Sequence, residues 1–415
     1  MGKPGISLDS VKNNNKSEIL KMLQKNGAMS RKDIATQMGL TPAAVTVLCN
    51  AMIEDHMMVE LGEMQEEKRA GRKKMLVDIN YDFKRIVSVN IEAADTWITV
   101  TNIRGDILAE LKVHTRTETK PEDFLEELTR EIKILLWEHE VQLSDVLGIG
   151  VCIPGIVDRE NGISIHAYGI WNENVPVADI FEKQIPCQVI LENNVKAFAE
   201  GEMLYGVGKQ GDNVLFIKWG PGVGSAIVIG NQLYEGYHHN AAEIGHYIVE
   251  PDGLPCRCGR RGCLETRVSM FALTERIKEV YSKEKTPVLY QETDGDKEKI
   301  TKELLTRWAE EGNNSYLAKM DGVVADIMVG AIERMARVAV NVMTILAPDC
   351  AIVFGLMMEN DLFYRTFMEY CRKYDENYTD GYIRRSMLSE KINYIGGTAL
   401  IAHTYFFESS APVKK

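Results

Sequence analysis

The chain has 415 residues, too many for one ordinary domain, and its 45% hydrophobic and 26% charged content are those of a folded globular protein. A formal net charge of −12 excludes indiscriminate binding to nucleic acid or to anionic lipid. The acidity lies in the body, since residues 1–80 hold 12 Lys/Arg and 10 Asp/Glu against 36 and 50 in the rest, so a small DNA-reading module at the amino end remains compatible with it.

No apolar run approaches the ~20 residues that span a bilayer. The opening MGKPGISLDSVKNNNK lacks the apolar core of a secretion signal, and Ile6 stands where myristoylation needs Ser or Thr. The eight cysteines are not spaced as a disulfide framework. The expectation is a cytoplasmic protein with no membrane partner.

Residues 16–55 carry three short helical patterns. The first places Ile19, Leu20, Met22 and Leu23 on one face and breaks at Asn26-Gly27. The second opens at Ser30, with Asp33 three residues on, and runs to Met38-Gly39. The third has Thr41 as N-cap and Pro42 at the first helical position, where a missing N–H costs nothing. The Met38-Gly39-Leu40 link is the short turn of a helix-turn-helix. Met57–Leu61 and Met75–Ile79 read as two strands with the polar tip 62–74 between them as a wing.

A helix face of Ala43, Ala44, Thr46, Val47 and Asn50 is small enough to enter a major groove, where Asn50 or Thr46 would hydrogen-bond base edges. The basic run through Arg69, Arg72 and Lys73 would meet phosphates, and Arg72 suits a narrow A·T-rich minor groove. The expected DNA-reading set is therefore Thr41, Pro42, Ala43, Ala44, Thr46, Val47, Asn50, Arg69, Arg72 and Lys73.

From Arg85 strands and helices alternate. Ile86–Ile91, Trp97–Asn102 and Ile107–Val113 read as strands with a hairpin turn at Arg104-Gly105-Asp106, followed by a helix from Pro121 and a buried strand Val146–Ile153. Later pairs are Val189–Leu191 with Val195–Leu204, Val214–Trp219 with Ser225–Ile229, and Ile327–Leu346 with Cys350–Phe354. Such alternation predicts an α/β body with helix-covered sheets. Residues 281–314, charged and helical, read as a surface excursion.

The densest chemistry lies between Ala242 and Glu265. His246, Cys256, Cys258 and Cys263 form H-x9-C-x-C-x4-C, the donor set of a closed Cys3His tetrahedron. Three cysteines within eight residues predict one structural zinc per chain, with no position left for a reactive water.

The E-x-G-H and C-x-C-G-x-x-G-C-L-E segments resemble the signature of the ROK family of repressors, open reading frames and kinases. With the helix-turn-helix and the joint Gly71-Arg72-Lys73-Lys74, nearly the whole chain resembles that family's transcriptional-regulator branch. The resemblance implies an α/β architecture: a winged helix-turn-helix in residues 1–80, then a two-lobed actin-like, sugar-kinase-like body. Its first lobe would be 81–195, completed by about 385–415, and its second 196–384, with the zinc and a dimerisation surface. In the family the sugar lies in the cleft between the lobes.

The resemblance also implies sugar contacts at Gly155, Asn193, Asn194, Glu243, His246 and Glu265. Glu192-Asn193-Asn194 stands for the family's E-N-D, whose aspartate is the general base of the kinases. Asn194 has no carboxylate and cannot take that proton. The kinases' D-x-G-x-T phosphate loop is replaced by Asn90-Ile91-Glu92-Ala93-Ala94, and Pro221 removes a backbone donor from Gly220–Gly224. A late Gly-Gly on the adenosine side is reduced to Phe354-Gly355.

The expectation is a non-enzymatic, sugar-responsive repressor of a carbohydrate operon. Its partners would be a palindromic operator, a sugar or sugar derivative, and a second copy in a homodimer or dimer of dimers. Two alternatives stay open: a ROK sugar kinase with a DNA-binding head, and a regulator controlled by a protein partner.

Overall fold

The computed structural model describes residues 8–63, 75–237, 239–301, 304–305, 321–379 and 381–408. It divides into two compact units, residues 1–193 with 393–415, and residues 194–392. The amino-terminal head does not separate as a unit of its own.

The head contains helices Leu8–Asn26, Arg31–Met38 and Pro42–Glu54. Ser30 caps the second helix by accepting from the Asp33 amide at 3.2 Å, and Thr41 caps the third by accepting from Ala44 at 3.3 Å. Gly39 ends the second helix with φ 65, a left-handed conformation that lets the chain turn directly into the third. Strands Met29–Ser30, Met75–Ile79 and Met58–Glu63 form an antiparallel sheet in that order, with the wing's two long strands paired. Ile19, Leu20, Leu23, Ile34, Val45, Cys49, Met52 and Val77 are fully buried between these elements.

The same unit carries a five-stranded sheet ordered Val189–Asn193, Val146–Ile153, Arg85–Ile91, Asp95–Thr101, Ile107–His114. The first three are parallel and the last two antiparallel. Alternation assigns the two faces of its central strand. Val87, Val89 and Ile91 pack with helices Pro121–Glu138 and Val177–Gln184. The Ser88 face meets a closing helix, Ile395–Ala402.

That closing helix lies directly on the backbone of the neighbouring strand. A Cβ added at Gly150 would stand 2.1 Å from the Gly397 carbonyl oxygen, so both positions need glycine for the approach. The chain then continues as a π-helical turn, His403–Glu408, that packs on the head's first helix. Ser17 donates its hydroxyl proton to the Phe407 carbonyl, Lys21 pairs with Glu408 at 2.8 Å, and Phe406 stands 5.9 Å from Phe83.

The second unit repeats the sheet scheme. Its order is Gln232–Leu233, Val223–Ile229, Val214–Trp219, Cys350–Phe354, Ile383–Arg385, with the first three antiparallel and the last two parallel to Val214–Trp219. In each unit three consecutive strands form a meander, and two later strands add in parallel to its first. The 25-residue helix Gly322–Leu346 packs with Asp361–Tyr374 and Met270–Val280 around one core. The reading of 281–314 as a surface excursion is corrected for its described residues, because Leu289, Ile300, Leu304 and Leu305 are buried in that core; 302–303 and 306–314 lie outside the described residues. Their apolar side chains are too widely spaced among charged residues to form a periodic face.

Candidate metal and effector site with a DNA-reading head

The loop from Glu243 to Glu265 is shaped by its own backbone before any ion is considered. Cys256 donates its amide to Arg260 and Gly259 to Cys256, closing a tight knuckle. Gly262 has φ 70, and a Cβ there would strike the Glu250 carbonyl, which accepts from Gly253. The knuckle thus requires glycine where the chain doubles back.

The four predicted ligands converge. One donor atom from each of His246, Cys256, Cys258 and Cys263 falls within 4.8 Å of the others. Cys256 Sγ is 3.5 Å from His246 Nδ1, and Cys258 Sγ is 3.6 Å from Cys263 Sγ. Bonds of about 2.3 Å in a tetrahedron put sulfurs roughly 3.8 Å apart, so the spacing fits a metal of zinc's size. His246 and Cys263 are buried and the other two half-buried, as suits a closed site.

With Nδ1 on the cysteine side, the Nε2 of His246 faces Glu243 Oε2 at 3.9 Å. Burial pushes the Glu243 carboxyl up to about 7, against the pull of Lys196 and with a further push from Glu265. Lys196 is the residue that sequence reasoning missed. It is buried to 3% exposure near the start of helix Asn194–Tyr205, and its ammonium donates to the His239 carbonyl at 2.8 Å. Its signal was a single charge in the apolar run Val195–Ala199.

Glu265 has a second duty. Its Oε2 accepts from the Val223 amide at 3.1 Å and so caps the Gly220–Val223 turn, where Gly220 donates to the Gly222 carbonyl. One carboxylate oxygen is thereby spent on backbone. The Glu92 amide donates to Asp95 O in the hairpin between strands Arg85–Ile91 and Asp95–Thr101, at the position of the family's phosphate loop.

In the first unit, Asn193 ends its strand and donates Nδ2 to the Gly155 carbonyl at 2.8 Å. Glu192, 2% exposed, accepts from the Asn193 amide and pairs with Arg159 at 3.3 Å. Asn194 is the first residue of the following helix, in the second unit. Trp171 is 7% exposed and donates to Ser164, which makes it a core residue of the first unit.

On the head, Thr41, Pro42, Ala43, Ala44, Val47 and Asn50 are exposed and Thr46 is half-buried. Val47 is 66% exposed, an unusual apolar side chain to leave in water. Thr46 spends its hydroxyl proton on the Pro42 carbonyl at 2.7 Å. Asn50 accepts from Arg31 at 3.1 Å, and Arg31 also pairs with Glu60 of the wing at 2.6 Å. Arg69, Arg72 and Lys73 lie outside the described residues.

Comparison with known proteins agrees with this anatomy. Residues 86–403 match the ROK family profile, and residues 12–57 match a winged helix-turn-helix DNA-binding profile. The xylose repressor of Bacillus subtilis is 28% identical over 282 residues, spanning 66% of this chain and 70% of its own. The transcriptional repressor Mlc of Escherichia coli is 25% identical, over 65% of this chain and 66% of its own. The Thermotoga maritima glucokinase is 30% identical over 273 residues, 65% of this chain and 81% of its own.

A ROK transcriptional regulator described as a homologue of E. coli Mlc superimposes over 96% of this chain and 97% of its own, with a TM-score of 0.77 at 22% identity, and shares its fold. The helix-turn-helix head, the duplicated sheets and the Cys3His knuckle thus occur together in a chain that belongs to the ROK family.

Proposed function

We propose that the chain is a sugar-responsive transcriptional regulator that represses a carbohydrate-utilisation operon. The observation that carries this reading is the joining, in one compact unit, of a winged helix-turn-helix and the Gly155–Asn193 pair of a ROK body. Among the relatives, the xylose repressor and Mlc are named as repressors, which favours operator DNA as the partner.

The effector is a sugar or sugar derivative contacted by Asn193 and by Glu243, His246 and Glu265. Carboxylates, an amide and an imidazole accept from and donate to neighbouring hydroxyls in fixed geometry, as a polyol needs. A structural zinc on His246, Cys256, Cys258 and Cys263 holds the His246 ring, so its Nε2 is aimed toward Glu243. The zinc supplies rigidity only. Phosphoryl transfer is not part of the reading, because Asn194 offers no base and the Glu92 turn offers no phosphate cradle.

Within the first unit a continuous packing path links effector residues to the head. Strand Val189–Asn193 pairs with Val146–Ile153, the closing helix packs on both, and its continuation His403–Glu408 holds the head's first helix. Contiguity is a condition for coupling, and coupling itself is a free energy to be measured. Fluorescence anisotropy with fragments from upstream of the chain's own gene tests this. A cognate sugar is expected to weaken binding by about 5- to 150-fold. Binding indifferent to a full panel of sugars and sugar phosphates rejects the sensor. Loss of binding only when a transport protein is added supports the protein-controlled alternative.

A further inference from the structure

We propose that Lys196 is a positioning residue of the effector site: its buried ammonium pins the segment 239–242 in a disfavoured backbone conformation and so fixes where the Glu243 carboxylate stands. The proposal rests on the sugar-binding reading above and deepens it, with Lys196 acting through the backbone and not as a contact to the ligand.

Lys196 belongs to helix Asn194–Tyr205 and is 3% exposed. An ammonium so deeply buried needs acceptors, and the His239 carbonyl, 43 residues along the chain, takes one of its protons at 2.8 Å. Burial raises the Glu243 carboxyl and the Lys196 charge lowers it, so the ammonium also lies within electrostatic reach of that carboxylate.

The gripped segment is held in a conformation that its residues disfavour. His239 has φ 57 and Ala242 has φ 66, both in the left-handed region that glycine adopts freely and residues with a Cβ do not. Such strain persists only where the surroundings hold it, and here each strained residue is tied by a side chain from a neighbouring element. Lys196 holds the His239 carbonyl, and Ser225, from strand Val223–Ile229, donates its hydroxyl proton to the Ala242 carbonyl. Glu235 adds a third tie, accepting from the Ala241 amide at 3.2 Å and facing His239 Nδ1 with its carboxylate at 3.2 Å. Glu243 follows directly, so relaxation of 239–242 moves the carboxylate that stands 3.9 Å from His246 Nε2. A carboxylate already in place binds a polyol without the cost of ordering it, and loss of the pin therefore reads out as lost affinity.

The test compares full-length wild type, Lys196→Met, Lys196→Arg, Ala242→Gly and the double variant of Lys196→Met with Ala242→Gly. Calorimetry with xylose, glucose and N-acetylglucosamine selects the tightest binder as the probe. Hydrogen exchange read by mass spectrometry follows the amides of Ala241 and Ile244 in the sugar-free chain. Lys196→Met is expected to speed exchange at these amides and to weaken sugar binding by roughly 5- to 100-fold, while melting and sugar-free DNA binding stay near wild type. Lys196→Arg, which still donates and carries the charge, is expected to restore slow exchange and most of the affinity. Glycine takes φ 66 without strain, so Ala242→Gly is expected to recover about fivefold of the affinity lost in the Lys196→Met background. Lower affinity with unchanged exchange would make Lys196 a direct contact to the sugar and overturns the proposal, as does faster exchange with unchanged affinity. If Lys196→Met does not fold alone, the same substitution is read in the Ala242→Gly background. A wild-type chain that binds none of the three sugars counts against the sugar reading, and the exchange comparison then decides by itself whether Lys196 pins the segment.

Discussion

An amide at position 194 can orient a hydroxyl but cannot receive its proton at neutral pH. Replacing Asn194 with Asp would restore the missing carboxylate and leave Asn90-Ile91-Glu92-Ala93-Ala94 in place of the kinases' phosphate loop. The variant is therefore expected to show no ATP-dependent sugar phosphorylation above background in a coupled assay, and measurable turnover would reopen the kinase alternative. At this scale the candidate site was legible wherever chemistry is local in sequence. The three cysteines and the histidine lie within one short loop, and spacing alone predicted their convergence. Lys196 and the Arg31–Glu60 pair were not legible, since their partners lie 43 and 29 residues away and only folding brings them together. Glu265 shows a third case, in which the residue was found but its bond to the Val223 amide was hidden.

The elements behave similarly. Helices that open on a proline were readable to within a residue, as Pro42, behind its Thr41 cap, and Pro121 illustrate. The closing helix Ile395–Ala402 is uniformly apolar or small, so it carries no amphipathic period, and it is placed by strand glycines such as Gly150. The Cys3His knuckle is held by its own backbone turns and by its converging ligand side chains. We expect about one zinc per chain by elemental analysis. Cys258→Ser, or a strong chelator, is expected to remove the metal and loosen the loop carrying Glu243 and Glu265, lowering sugar affinity by at least tenfold. The head's melting and its sugar-free DNA binding should stay near wild type. A metal-free chain with unchanged sugar affinity would reduce the knuckle to decoration.

For the whole molecule the two ligands must obey reciprocity. If the sugar weakens operator binding by some factor, operator DNA must weaken sugar binding by the same factor. Calorimetric titration of sugar into the free chain and into its operator complex measures one side of that cycle, and operator anisotropy with and without sugar measures the other; unequal factors would mean that the sugar acts on more than the one equilibrium. The path proposed for this coupling runs through Ser17 and the Phe407 carbonyl, so Ser17→Ala is expected to shrink the common factor while leaving each ligand's own affinity nearly unchanged. The dual sheets were legible as alternating strands and helices, but not their common scheme, because parallel partners are recruited from far along the chain, as Cys350–Phe354 is to Val214–Trp219.

The seating of the first helix on His403–Glu408 also orders events in time. The head leaves the ribosome before the body, and Ile19, Leu20 and Val45 are fully covered in the finished chain. Its anchor emerges only after the 199 residues of the second unit have been made. The link between sugar and operator is therefore fastened by a segment that is made only after both sheets. On this reading, regulation begins only when synthesis has reached the segment that ties the head to the sheet.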